Sequence, residues 1–124
     1  MHSFGAAVEA RDMNAAVALL SEDVVFRSPI VFKPYQGRDA VAAILHAVSR
    51  VLEDFRYVRE IGVADATDHA LVFQARIGER EIEGCDFLHI DEDGSIDELV
   101  VMVRPLTAAQ ALAEAMRAEL AAAP

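Results

Sequence analysis

The chain has 124 residues, of which 54% are hydrophobic, and a formal net charge of −10. This length predicts one domain, residues 1–124, with its own core. The acidic balance argues against nucleic acid and anionic membranes as partners, because both select basic patches, and it fits a cytoplasmic protein. No stretch reaches the roughly eighteen apolar residues of a membrane span. The lone Cys85 excludes an internal disulfide and gives no zinc pattern.

The first half of the chain has the patterns of three helices and one strand. Ser3 and Asp12 are candidate N-caps, and Pro29 ends the strand. The third helix has the clearest apolar stripe, with Val41, Ile44 and Leu45 at helical spacing. The predicted elements in order are helix 3–10, helix 13–20, strand 24–28, loop 30–36 and helix 37–53.

After Asp54 the apolar period changes to two, which predicts strands. The predicted elements are strands 55–63, 70–77, 81–90 and 96–104, followed by a helix that begins with a capping box at residues 107–110. Residues 99–103 are apolar on both faces, so we expect both sides of the sheet to be covered. The arrangement is α+β, with an antiparallel sheet and helices grouped on one side.

Asp86 is the leading candidate for a functional residue. On a strand its side chain shares a face with Ile82, Leu88 and Ile90. A carboxylate there must pair with another group, become neutral through a raised pKa, or line a cavity. Gly84 beside it leaves room for a ligand or backbone to approach. We therefore predict a pocket acid–base residue with an elevated pKa.

The alternative is a structural carboxylate, paired with an interior arginine or tyrosine. Its candidate partners are Arg27, Arg59, Arg104, Tyr35 and Tyr57.

Ligand sites are largely apolar with few polar groups. The residues predicted to contact a ligand are Phe26, Ser28, Phe32, Tyr35, Tyr57, Phe73 and Leu88.

The other titratable residues give weaker signals. His89 falls on the strand face opposite Asp86, and His46 and His69 are expected to be exposed. The acidic run 91–98 does not fit an EF-hand loop, which would need an acid where His89 stands and a glutamate where Val100 stands. We predict no metal and no cofactor, because no dinucleotide or phosphate-binding glycine motif is present.

Five segments, taken in order, carry a resemblance to a known family. They are AAVALLSED (15–23), VVFRSP (24–29), YQGRDAV (35–41), EGCDFLHIDEDGSIDEL (83–99) and VVMVRP (100–105). With them the chain resembles the nuclear-transport-factor-2-like superfamily, in its SnoaL-like and steroid-isomerase-like branch. The resemblance implies a curved sheet wrapped around helices as a cone with an apolar pocket, and in many members a dimer through the outer sheet face.

The resemblance also bears on the site. Steroid isomerases use a tyrosine, an un-ionised aspartic acid and an aspartate base; the corresponding positions here are Phe4, Asp86 and Ser28. The epoxide-hydrolase branch needs an arginine where Gly84 stands. SnoaL-type cyclases rely mainly on one aspartate, a part that Asp86 would play.

The sequence thus leaves two functions open. The first is binding of, or acid–base chemistry on, a small hydrophobic molecule at Asp86. The second is a non-catalytic ligand-binding or interaction module of the same fold. In both cases we expect a homodimer that buries Val100 or Val101 and their neighbours on the outer sheet face.

Overall fold

Four helices pack against one six-stranded sheet in the structure, a computed structural model that describes residues 1–122. The predicted α+β class, with a curved sheet around helices, is confirmed. The elements are α1 (Ser3–Glu9), α2 (Met13–Ala18), β1 (Leu20–Arg27), β2 (Tyr35–Gln36), α3 (Arg38–Val51), β3 (Glu53–Ile61), β4 (Asp68–Ile77), β5 (Arg80–Ile90), β6 (Ile96–Arg104) and α4 (Leu106–Ala122).

The strands lie in the order β2-β1-β6-β5-β4-β3. Each neighbouring pair is antiparallel except β1 and β6, which are parallel. The sequence predicted an antiparallel sheet, but β1 and β6 are distant in the chain, so no hairpin forces them into opposite directions. β4 and β5 keep an unbroken register, which places Leu71 opposite Asp86. The register of β3 shifts twice, and such irregularities bend a strand.

The core lies between the inner sheet face and the helices. Along β4 and β5 alternate residues are buried, as the period of two predicts. α3 adds its predicted apolar stripe, and α4 contributes Leu112 and Met116. The largest fully buried side chains are Phe4, Leu20, Val24, Val41, Leu71, Leu88, Ile96 and Leu99.

Two boundaries in the first half were predicted wrongly. Residues 20–23 were assigned to a helix and its end, but they form the start of β1. Leu20 pairs with Ile96 there, so a tertiary strand pairing overrides the local helical spacing. The predicted loop 30–36 also contains β2, where Tyr35 pairs with Phe26.

Two histidines predicted to be exposed are not. His69 is only 4% exposed because it shares the inner face of β4 with Leu71. Its ring lies 4.9 Å from that of His2, centroid to centroid, and its Nε2 is 3.0 Å from the Ala66 carbonyl oxygen. His46 is half-buried on α3.

In residues 1–122 no helix combines the length and apolarity needed to cross a bilayer.

Candidate functional site

An apolar cavity of about 100 Å³ lies between the inner sheet face and the helices. Aromatic rings of Phe4, Phe26, Phe55 and Phe73 form much of its wall. Among the described residues, its polar or charged lining side chains are Arg11, Ser28, Ser49 and Asp86. Asp86 is thus the one carboxyl group that lines this cavity within residues 1–122.

Asp86 occupies the middle of β5 and is 8% exposed. Its Oδ2 accepts a hydrogen bond of 2.7 Å from the Tyr57 hydroxyl, which reaches over β4 from β3. Within the described part of the chain, no side-chain or turn donor reaches Oδ1. One carboxyl oxygen is therefore held in place, and the other is available to a ligand in the cavity.

Burial sets the protonation of this pair. It raises the pKa of Asp86 from 3.8 to about 6, and the hydrogen bond from Tyr57 opposes the shift. Burial, then the charge of Asp86, raises the pKa of Tyr57 well above its ordinary 10. Tyr57 therefore stays a donor while Asp86 exchanges a proton near neutral pH. This is the protonation behaviour that general acid–base catalysis requires.

An aromatic cluster positions Tyr57. The Phe55 ring stacks on Phe73 at 4.8 Å between centroids and meets the Tyr57 ring edge-on at 4.9 Å. Phe73 in turn fits because residue 84 is glycine: a Cβ there would lie 2.3 Å from Phe73 Cζ. The space predicted beside Gly84 is therefore filled by the Phe73 ring.

The predicted ligand-contacting residues fall into three groups. Phe26, Ser28 and Phe73 line the cavity with Asp86. Tyr57 holds the Asp86 carboxyl, and Tyr35 packs 6.1 Å from Phe26 between ring centroids. Neither tyrosine lines this cavity, and neither do the remaining two residues: Leu88 is packed in the core, and Phe32 is 99% exposed on a surface loop.

The candidate partners of Asp86 are resolved by the geometry. Tyr57 is the hydrogen-bond partner. Arg27 pairs with Glu98 and Arg104 pairs with Glu83, both near the surface. No arginine of the described chain forms a salt bridge with Asp86. The pair is an acid and a phenol in an apolar setting, without a compensating cation.

Sequence reasoning missed three lining residues of interest. Phe55 was not among the residues predicted to contact a ligand, although it lies two residues before Tyr57 on the same predicted strand. Arg11 and Ser49 had no signal, because they lie outside apolar stripes and their meeting depends on helix packing. The Arg11 Nη2 donates to the Ser49 carbonyl oxygen at 2.6 Å.

His89, predicted to lie on the opposite strand face, pairs with Asp97 at 2.7 Å.

No cluster of three or more His, Cys, Asp or Glu side chains suited to a metal occurs within residues 1–122. Phe4 and Ser28, where the resemblance places the isomerase tyrosine and base, both line the same cavity as Asp86. A phenylalanine neither donates nor accepts a proton, and a serine is a weak base. Asp86 is therefore the lining group best suited to proton transfer.

The sequence matches the profile of the SnoaL-like domain over residues 2–99. No protein of curated function matches it. A steroid delta-isomerase from Pseudomonas aeruginosa is 45% identical, with a TM-score of 0.88 over 94% of this chain and 85% of that chain.

Two further solved structures have the same fold. A cystatin-like-fold protein from Silicibacter pomeroyi, described as uncharacterised, is 38% identical, with a TM-score of 0.90 over 97% of this chain and 84% of that chain. A protein from Kribbella flavida is 20% identical, with a TM-score of 0.73 over 96% and 92%, which supports the fold alone.

Proposed function

Since the chain belongs to the SnoaL-like domain family, we propose that it binds a small hydrophobic molecule in its cavity and acts on it by acid–base chemistry at Asp86. One observation carries the proposal. Tyr57 donates a hydrogen bond to one oxygen of the Asp86 carboxyl, and the other oxygen has no partner in the described chain. The relation to the steroid delta-isomerase from Pseudomonas aeruginosa supports proton transfer next to a carbonyl as the type of reaction.

The proposed chemistry follows from the pKa of Asp86. Below about pH 6 the acid is neutral and donates a hydrogen bond to a carbonyl oxygen. Above it, the carboxylate removes a proton from carbon next to that carbonyl, which leaves an enolate, and the protonated Asp86 then returns the proton to a carbon of that enolate. The Tyr57 hydroxyl keeps Asp86 in place and favours its carboxylate form before the transfer. A single carboxyl that alternates between these forms needs neither metal nor cofactor.

Deuterium exchange tests this chemistry without knowledge of the substrate. The probe is cyclohex-2-enone in D₂O, with proton NMR following loss of the signals next to the carbonyl. We expect the protein to accelerate exchange and Asp86→Asn to abolish the acceleration. Asp65→Asn, in an exposed turn, is the matched control. Equal exchange rates with the wild type and Asp86→Asn would exclude Asp86 as the base.

A non-catalytic binding module remains the second candidate, and one observation favours it. The cavity offers a single acid–base group among its described lining residues, whereas isomerisation needs a base and a separate donor. In that case the enone binds to the wild type and to Asp86→Asn alike, without exchange in either protein.

We further propose one domain, residues 1–124, that assembles as a homodimer in the cytoplasm. Val101 was one of two residues proposed for the dimer face, but it lines the cavity. The outer face carries Val100 instead, next to Phe87 and Met102, which are 40% and 60% exposed. Apolar side chains on a sheet face are the expected interior of such an interface.

A further inference from the structure

Arg11 stands where a helix-ending motif ordinarily has glycine. The Arg11 amide donates to the Val8 carbonyl oxygen at 3.0 Å, and the Asp12 amide donates to that of Ala7 at 2.9 Å. This pair of bonds is the Schellman motif that closes α1. The motif needs a left-handed residue after the helix, and Arg11 has φ +61°. Glycine adopts this conformation without the steric cost that an arginine bears.

A contact of the Arg11 side chain explains why this position is an arginine and not a glycine. Its guanidinium donates to the Ser49 carbonyl oxygen at 2.6 Å, which joins the end of α1 to α3 beside the cavity. Arg11 is exposed, whereas Asp86 is buried, yet both line the same cavity. The cavity wall is therefore buried at Asp86 and reaches solvent at Arg11, which we call its outer end.

Arg11 also has unused binding capacity. It is the one cation that lines the cavity in the described chain, and it forms no salt bridge there. A guanidinium carries five donors, of which Ser49 takes one. The remaining donors suit a carboxylate, which arginine binds with two parallel hydrogen bonds. On a chain of net charge −10, an anionic ligand needs such a local cation.

We propose that Arg11 is a specificity-determining residue that binds a carboxylate at the outer end of the cavity. The ligand is then an amphipathic acid, with its apolar body inside the cavity and its carboxylate at the rim. This inference rests on the proposed function and adds the chemical class of the ligand. Helix termination alone does not account for Arg11, since glycine would serve it better.

The test compares carboxylates with matched neutral amides. The probes are benzoate, phenylacetate and 3-phenylpropionate, each paired with its primary amide, because the volume of about 100 Å³ suits a single ring. Calorimetry measures their dissociation constants for the wild type and for Arg11→Gly. We expect at least one carboxylate to bind about tenfold more tightly than its amide, as a charge-assisted pair predicts. Arg11→Gly should lose this preference.

Arg11→Gly separates binding from folding. Because glycine relieves the left-handed backbone, we expect its melting temperature to equal or exceed that of the wild type. Arg80→Gln removes the same charge on a strand end outside the cavity and should keep the carboxylate preference. If it also loses that preference, general charge explains the effect and the proposal is wrong.

The outcomes also separate this inference from the proposed function. Equal binding of acids and amides to the wild type overturns the role of Arg11 but leaves a ligand cavity. No binding of any probe at millimolar concentration overturns the inference, and exchange on cyclohex-2-enone then decides the proposed function separately. A carboxylate preference that Arg11→Gly retains assigns the anion site elsewhere and overturns the inference alone.

Discussion

At the scale of single residues, the central feature is a carboxyl buried without a cation. Asp86 has one hydrogen bond, from Tyr57, and apolar neighbours such as Ile82 and Leu88 on its strand. Such a group lowers the stability of the folded state when it ionises. Retaining it at the wall of a cavity fits a functional role better than a structural one, because function often opposes stability at active sites.

Burial of Asp86 without a cation predicts that Asp86→Asn stabilises the protein at high pH. The folded-state pKa of about 6 exceeds the ordinary 3.8, so wild-type stability falls as pH rises between these values. The shift corresponds to a penalty on the order of 3 kcal/mol above pH 7. Urea denaturation at pH 4 and pH 8 measures it: the variant should gain stability at pH 8 and little at pH 4.

Asp65→Asn is the control, because Asp65 is exposed in a turn. This change should leave the pH dependence of the free energy of unfolding as it is in the wild type. If Asp86→Asn is instead destabilised at pH 8 by several kcal/mol, the carboxylate is a structural group, as the alternative interpretation of the sequence held.

At the scale of elements, the strand patterns predicted the fold closely and the site in part. The alternation of Leu71, Phe73 and Ala75 fixed the inner face of β4, and the same period placed Asp86 inward. The pairing of Asp86 with Tyr57 could not be selected from five candidates, because it depends on the order of β3, β4 and β5 in the sheet. Arg11 could not be selected because its role depends on the turn after α1 lying beside α3.

Gly84 connects the strands to the cavity wall, which gives an element-scale prediction. An alanine Cβ at residue 84 would lie 2.3 Å from Phe73 Cζ and 2.9 Å from the Met102 carbonyl oxygen. The Phe73 ring must then shift, which disturbs its stacking on Phe55. We expect Gly84→Ala to lower the free energy of unfolding by about 1–3 kcal/mol, as overpacking does.

A double-mutant cycle checks the cause of that loss. Phe73→Leu removes the ring that the new methyl group would strike. Combined with Gly84→Ala, it should cost less than the sum of the single changes, as measured by urea denaturation. Additive costs would show that the strain arises at the backbone of β6 and not at the Phe73 ring.

At the scale of the whole molecule, the exposed apolar residues of the outer sheet face predict a homodimer. Met102→Glu would place a charge in the proposed interface, next to Cys85 across the strand pair. We expect sedimentation velocity to show a dimer for the wild type at micromolar concentration and at least a tenfold weaker one for the variant. Val63→Glu, in an exposed turn, is the control. A wild-type monomer would refute the dimer.

From the volume and lining of the cavity we also expect little or no isomerisation of 3-oxo-steroids. Its volume of about 100 Å³ is below the roughly 300–1,000 Å³ of sites for drug-sized ligands. Phe4 and Ser28 also stand where the resemblance places the isomerase tyrosine and base. Absorbance of the conjugated product measures the rate. Turnover comparable to an authentic isomerase, with Ser28 required, would contradict this prediction.

The most direct test of the account is the titration of the Asp86 side-chain carboxyl by carbon-detected NMR. We predict a midpoint near pH 6, because burial raises the pKa of this acid. In Tyr57→Phe the midpoint should rise further, since the hydrogen bond that favours the carboxylate is lost. A wild-type midpoint at or below pH 4, unchanged in Tyr57→Phe, would contradict the account.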